Sequence, residues 1–446
     1  MTDLLDVAQR IVGWARDGEQ VEAFVVRSRE VEIRVDGGDV EQLSSAEALG
    51  AGIRVIADHR QGFAYAGSLD EDGLAEVLDE ARDNLTFGTP DEAFGLAEPD
   101  GVSPADIDTY REALATAPTD AKIALVVDLE QRIKSGDPRI RAARYVDYGD
   151  SISEVAVATT TGIAIERRGG SCSVSAMSIA GEGDGTQTGF GFSVGRTLDD
   201  IDLEAAARDA IERAVRMLGA RKPSTRRLTV LLDPIITAQF LGVAGSMLSG
   251  EAVLKGRSPF ADRVGEEIAS PIVTLVDDPT VAAAFSAATH DGEGLATRRN
   301  VLIDAGVLSG FNHNAYTARR MGTASTGSAS RGFKTVPGVG CRALQLTLGT
   351  KTQAEMIAGI EEGLLVQDVS GLHSGVNPVS GDFSAGAEGL VIRNGQLAEP
   401  VREITIASTI QRMLQDVVEV GKDVDWLPMN AHGVSVAIAD VTMSGS

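Results

Sequence analysis

An α+β fold is predicted for this chain, with an N-terminal domain of two β-meander-plus-helix units and a C-terminal strand-rich domain. Three observations lead there. Apolar and polar residues alternate over long stretches of the first half, broken by Gly and Asp at turn positions. Each such meander is bracketed by segments whose apolar residues recur at helical spacing. A polar, Pro-containing break at Arg221-Lys222-Pro223-Ser224-Thr225 then precedes a half dominated by strands and glycine. The expected domains are residues 1–220 and 226–446. With 446 residues, 43% of them hydrophobic, the chain can bury more than one core.

Leu4, Leu5, Ala8, Ile11, Val12 and Ala15 predict a first helix, capped by Thr2 or Asp3. The period then changes to two. Val21, Ala23, Val25 and Val31, Ile33, Val35 alternate up to a hairpin turn at Asp36-Gly37-Gly38-Asp39. A second hairpin turns at Asp58-His59-Arg60, and a helix from about Asp70 to Leu85 closes the unit. After a long connection rich in Pro, Gly and Asp, a helix starts at Thr119. Alternation resumes from Ile140 to Val194, with turns expected at 148–150, 161–162, 168–170 and 181–185. A helix from about Leu203 to Leu218 ends this second unit. Gly62-Phe63-Ala64-Tyr65 and Gly189-Phe190-Gly191-Phe192 occupy corresponding places, which reads as a pseudo-repeat. Beyond the break come a buried-type strand, Leu228 to Leu232, and an apolar, small-residue helix, Ile235 to Leu248. Further helices are expected at 354–363 and 410–417 among strands.

A formal net charge of −25 repels a phosphate backbone and argues against nucleic-acid binding. Cys172 and Cys341 are too few for a disulfide framework and point to reduced thiols. The N-terminus lacks a basic, apolar leader, and no stretch approaches the ~20 apolar residues of a membrane span. A cytoplasmic location is expected.

Standard catalytic motifs fail one by one. The histidines, at 59, 290, 313, 373 and 432, never fall within one helical turn of each other, so a helical ligand pair is excluded. They read as polar surface or loop residues. Gly191-Phe192-Ser193-Val194-Gly195 spells G-x-S-x-G, but Ser193 sits in an alternating strand and not at a strand-to-helix elbow. Gly349-Thr350-Lys351-Thr352 lacks the phosphate-loop frame and reads as a turn. The run from Arg319 to Arg331 is different. It is rich in Gly and Ser, free of acidic residues and flanked by Arg319, Arg320 and Arg331. Such a loop offers backbone amides and positive charge to a peptide backbone or carboxylate, with Ser325, Thr326 and Gly327 at its centre.

From Leu228 onward, an ordered series of short motifs resembles the TldD/PmbA family of peptidases. They include Leu232-Asp233-Pro234, Gly256-Arg257-Ser258-Pro259-Phe260, Arg320-Met321-Gly322, Ser380-Gly381-Asp382-Phe383 and Ile392-Arg393-Asn394-Gly395. The family's catalytic members carry an HExxxH helix between the first two of these motifs. Here Leu241 and Ser246 stand at the histidine positions and Gly242 at the glutamate. The cysteine that catalytic members use near the C-terminus has no counterpart between Trp426 and Ser446. The resemblance therefore implies a TldE (PmbA)-type subunit with no catalytic or metal residue of its own. Zinc would sit on an HExxxH-bearing, TldD-like partner that cleaves small unfolded peptides, and a homodimer would remain open to the isolated chain. Two rivals stand beside it: a freestanding peptide-binding regulator of the gyrase-modulator type, and an unrelated hydrolase using Ser193.

Overall fold

The computed structural model describes residues 3–445, the His373 side chain excepted. The N-terminal half runs α1 (Leu4–Gly13), β1 (Gln20–Asp36), β2 (Asp39–Ala57), β3 (Arg60–Ala66) and α2 (Glu71–Asn84). It continues with α3 (Glu112–Ala115), α4 (Thr119–Gly136), β4 (Ile140–Thr159), β5 (Ala164–Ala180), β6 (Gln187–Gly195) and α5 (Leu203–Val215). The strands make one antiparallel sheet in the order β3-β2-β1-β4-β5-β6, so the first strands of the two meanders pair at its centre. Val21, Ala23 and Val25 of β1 pack with α1 and α2, and Val31, Ile33 and Val35 pack with α4 and α5. All six are odd-numbered, so the period-two rule puts the helices on one face. The Gly-x-x-x rhyme has a packing cause. A Cβ on Gly62 would stand 1.9 Å from Ala81 O in α2, and one on Gly189 would stand 2.2 Å from Ala210 O in α5. Each glycine lets a helix lie directly on the outermost strand of its meander.

Two expected turns are absent. Gly149 lies inside β4, paired with Glu32 and Ser173, and Gly169 and Gly170 lie inside β5, paired with Ser153 and Ile152. The latter two make room for a segment crossing the strand: a Cβ on Gly169 would meet Thr109 Oγ1 at 3.2 Å, and Gly170 N–H donates to Thr109 O at 3.0 Å. Their lack of a side chain serves close approach and not reversal of the chain.

The C-terminal half begins with β7 (Arg226–Leu232), α6 (Pro234–Met247), α7 (Gly250–Leu254) and β8 (Leu275–Asp277). Next come β9 (Asn300–Asp304), β10 (Val307–Leu308), α8 (Ala315–Arg320), β11 (Ala329–Ser330), β12 (Gly338–Val339) and β13 (Leu344–Leu346). It ends with α9 (Gln353–Ala358), β14 (Glu362–Ser370), α10 (Leu372–Gly375), β15 (Asp382–Arg393), β16 (Gln396–Thr409), α11 (Ile410–Gln415), β17 (Val417–Val420) and β18 (Val436–Ser444). Its main sheet runs β16-β15-β14-β7-β18-β17, and a further β16–β18 pairing closes the sheet on itself. The helix expected over 354–363 stops at Ala358. Gly363 already belongs to β14, where it pairs with Thr229 of β7 in the sheet's parallel ladder.

His313 and His432 are buried, contrary to the surface reading of the histidines. His432 Nε2 accepts the Leu346 N–H at 2.9 Å, so the ring is neutral at that nitrogen. Burial lowers its pKa to about 4 from 6.5. A depressed folded value gives stability that is present above the unfolded pKa and lost as pH falls through the folded one, here between 6.5 and about 4. The shift corresponds to about 3 kcal/mol. His432→Gln, which keeps a neutral acceptor, is expected to remove that acid-sensitive component. Urea midpoints of both proteins at neutral and acid pH check this, and an identical pH slope would contradict it.

Candidate functional site

The positions picked out by the resemblance lie on α6. Pro234 opens this helix at its first turn, and no charged residue follows through Met247. Asp233, just before it, accepts Arg213 Nη2 from α5 at 2.6 Å. Leu241 is buried in the main apolar cluster of the C-terminal half, whereas Gly242 and Ser246 are exposed one turn apart. The Ser246 hydroxyl donates to Val243 O at 2.7 Å, within the helix. Zinc requires nitrogen, sulfur or carboxylate donors held in a tetrahedral set. Leu241 has no donor, Gly242 has no side chain and Ser246 gives its hydroxyl to the backbone, so these residues do not fit the ion. Among the described residues, His, Cys, Asp and Glu form no group of three suited to a metal.

The small residues of α6 have different causes. A Cβ on Gly245 would stand 2.4 Å from Leu344 Cδ1 and 3.2 Å from Cys341 Sγ, whereas one on Gly242 would meet nothing within 4 Å. Gly245→Leu is therefore expected to cost about 3 kcal/mol or to abolish folding, because the core cannot yield that much space. Gly242→Ala should stabilise by up to about 1 kcal/mol, as Ala is the better helix former, and Leu241→Met should change little. Denaturant midpoints of the three variants decide this. A tolerated Gly245→Leu would refute the packing argument.

Cys341 lies against the same helix. Its Sγ contacts Gly245 O at 3.5 Å and accepts Asn312 Nδ2 at 3.3 Å, and Asn312 also donates to Asp277 Oδ2 at 2.8 Å. Burial, reinforced by the Asp277 charge, pushes this thiol well above its ordinary value. It is a protonated core residue, not a nucleophile. Ser193 is equally occupied: it lies within β6, and its Oγ accepts the Asp202 N–H at 2.9 Å.

The basic, glycine-rich run proves largely internal. Arg319 donates to Gly95 O at 2.7 Å and also to Leu96 O, tying the end of α8 to the connection before α3. Ser325 and Thr326 donate to His313 O, and Gly327 packs its backbone on Ala296 O with φ +66°. Gly327, Ser328 and Ala329 are buried despite the polar sequence, because these local bonds satisfy it. The Arg331 guanidinium is fully buried and paired with Glu22. Residues Gly322, Thr323 and Ala324 stay exposed. Arg320 remains partly free, 3.4 Å from Asp91, and lines a cleft of about 360 Å³ with Phe94, Tyr316, Glu251, Leu254 and Val336.

Arg331 belongs to a buried ionic cluster joining the two halves. Glu22 of β1 and Arg54 of β2 face away from the N-terminal helices, next to Phe24 on the second buried face of the sheet. Arg54 donates to Glu22 at 2.7 and 3.0 Å and to Glu293 at 3.3 Å. Glu293 in turn accepts the Ala315 N–H at 2.8 Å, at the start of α8. Burial would raise the Glu22 pKa, but Arg54 and Arg331 outweigh it and hold the carboxyl below its ordinary value. Burial raises the Asp291 pKa, helped by Glu293, although three backbone amides bond its carboxylate. The period-two pattern of β1 does not disclose this cluster. Its signal was a lone Glu between Val21 and Ala23, which the alternation rule assigned to solvent.

Comparison with known proteins finds family matches along most of the chain. Residues 21–85 match PmbA/TldA metallopeptidase domain 1, residues 112–218 the central domain and residues 225–445 the C-terminal domain. The chain belongs to the PmbA/TldD family. The metalloprotease PmbA of Escherichia coli O157:H7 is 24% identical to it over 448 residues, covering 100% of this chain and 96% of PmbA. The crystal structure of TldE from Thermococcus kodakarensis superposes with a TM-score of 0.89 at 25% identity, covering 99% of both chains. A Thermotoga maritima protein, described as a suggested modulator of a DNA gyrase, gives a TM-score of 0.91 at 25% identity over 98% of this chain and 99% of its own. Among the described residues, no helix of this PmbA/TldD chain is long and apolar enough to cross a membrane.

Proposed function

We propose that this chain is the TldE-like partner subunit of a heterodimeric zinc metallopeptidase acting on small unfolded peptides, with zinc and the bond-breaking chemistry on a TldD-like subunit. The observation that carries this reading is the state of α6, where Leu241, Gly242 and Ser246 occupy the HExxxH positions and offer no ligand and no carboxylate to activate water. A fold kept over the whole chain without those groups suits a structural and substrate-guiding role. Arg320 and the exposed backbone of 322–324 are the parts of the basic run we assign to peptide contact, at the cleft lined by Phe94 and Tyr316. Arg319 and Arg331 hold the halves together instead. The two unpaired cysteines suit a reducing, cytoplasmic setting.

Metal content tests the assignment of zinc. The purified, untagged chain, dialysed against a weak chelator, is expected to retain far less than one zinc per molecule. About one tightly held zinc per chain would overturn the reading.

A further inference from the structure

A second polar crevice, of about 160 Å³, has no lining residue from α6 or from the Arg320 cleft and lies where β4 and β5 meet the segment Phe285–Thr289 and Arg342. Its charged lining consists of Arg167, Arg168, Arg196 and Arg342, in a chain whose net charge is −25. Two of the four are accounted for. Arg168 pairs with Glu154 at 3.1 Å. Arg196 donates to Gly170 O and Ala284 O at 2.8 Å and to Phe285 O at 3.1 Å, bridging the two halves.

Arg167 and Arg342 are not accounted for. Among the described residues neither guanidinium has an ion-pair or hydrogen-bond partner, and the Nε of each is sealed from solvent without one. Burial and then the charge of Arg342 push Arg167 down to about 10. Asp291 gives Arg167 only a distant attraction, its oxygens being committed to the amides of Glu293, Leu295 and Ala329. The hydroxyls of Ser151, Ser153 and Ser171 also line the crevice and make no hydrogen bond within the described chain. Arg167 and Arg342 are half-buried; holding unpaired cations partly out of water is costly, and guanidinium groups are shaped to take an oxyanion through paired N–H donors.

We propose that this crevice binds a carboxylate, the terminal or side-chain carboxylate of a peptide, between Arg167 and Arg342 with the free serine hydroxyls around it. The oxyanion chemistry stands on the geometry alone; its source in a peptide rests on the partner-subunit reading. The volume of about 160 Å³ suits one terminal residue.

Isothermal titration of the full chain tests this with three probes: acetyl-trialanine as the free acid, its C-terminal amide, and inorganic phosphate. The free acid is expected to bind, with the amide about tenfold weaker or more. Arg167→Gln and Arg342→Gln should each weaken the acid about tenfold without lowering the melting temperature, since each removes an unpaired charge. If one variant fails to fold, the other keeps the test. Equal binding of acid and amide, no binding of either, or undiminished binding in a folded variant would overturn the proposal. Phosphate binding without peptide binding would make this a free-phosphate site and overturn the carboxylate assignment. Zinc content and oxyanion binding by this chain alone are separate readouts, so the two readings can fail separately.

Discussion

Arg54→Met is expected to destabilise the folded chain by about 3–5 kcal/mol, the range for breaking a buried ion pair on one side. The residue has 3% exposure and satisfies Glu22 and Glu293, both at 0%. Removing it leaves those carboxylates with Arg331 as the remaining cation in contact, and Arg331 bonds only Glu22 among them. Met fills a similar volume, so the loss isolates charge from packing. The pH dependence carries the sharper signature. Carboxyls left buried without Arg54 acquire folded pKa values above their unfolded ones. A raised value gives a contribution that is complete below the unfolded pKa and is lost as pH rises through the folded one. The deficit should therefore be largest at roughly pH 8 and shrink towards roughly pH 5. Urea melts of both proteins across that range read it directly. A loss below about 1 kcal/mol, or one that is constant with pH, would show that the cluster does not hold the halves together.

This cluster marks the limit of what the sequence disclosed. Alternation of Val21, Ala23 and Val25 gave the helix-facing side of β1 correctly, and the turns at 36–39 and 58–59 fall where Gly and Asp placed them. Alternation also implies that the other side is wet. Here it is dry, because Leu295, Ala315 and Phe333 of the C-terminal half cover Phe24 and Val155. Nothing local to β1 reports a partner some 300 residues away, roughly the separation of Glu22 from Arg331. Gly149, Gly169 and Gly170 misled for a related reason. A glycine signals either a turn or a close approach, and only the tertiary structure separates the two. The basic run of 319–331 was legible as unusual but not as internal. Its arginines seek carbonyls and a carboxylate of the N-terminal half, which composition cannot reveal. On α6, by contrast, the expectation rests on residue identity alone. Leu and Gly cannot ligate zinc wherever they point.

The central claim is that this chain lends structure and substrate guidance to a catalytic relative bearing the motif it lacks. Reconstitution tests that most directly. This chain, an HExxxH-bearing relative from the same cell, and the two together are assayed on an unstructured peptide with and without a zinc chelator. Cleavage should be confined to the mixture and vanish with the chelator if Leu241, Gly242 and Ser246 supply no metal site here and the proposed partner depends on this chain. Chelator-resistant cleavage by this chain alone, or full activity of the relative without it, would contradict the account.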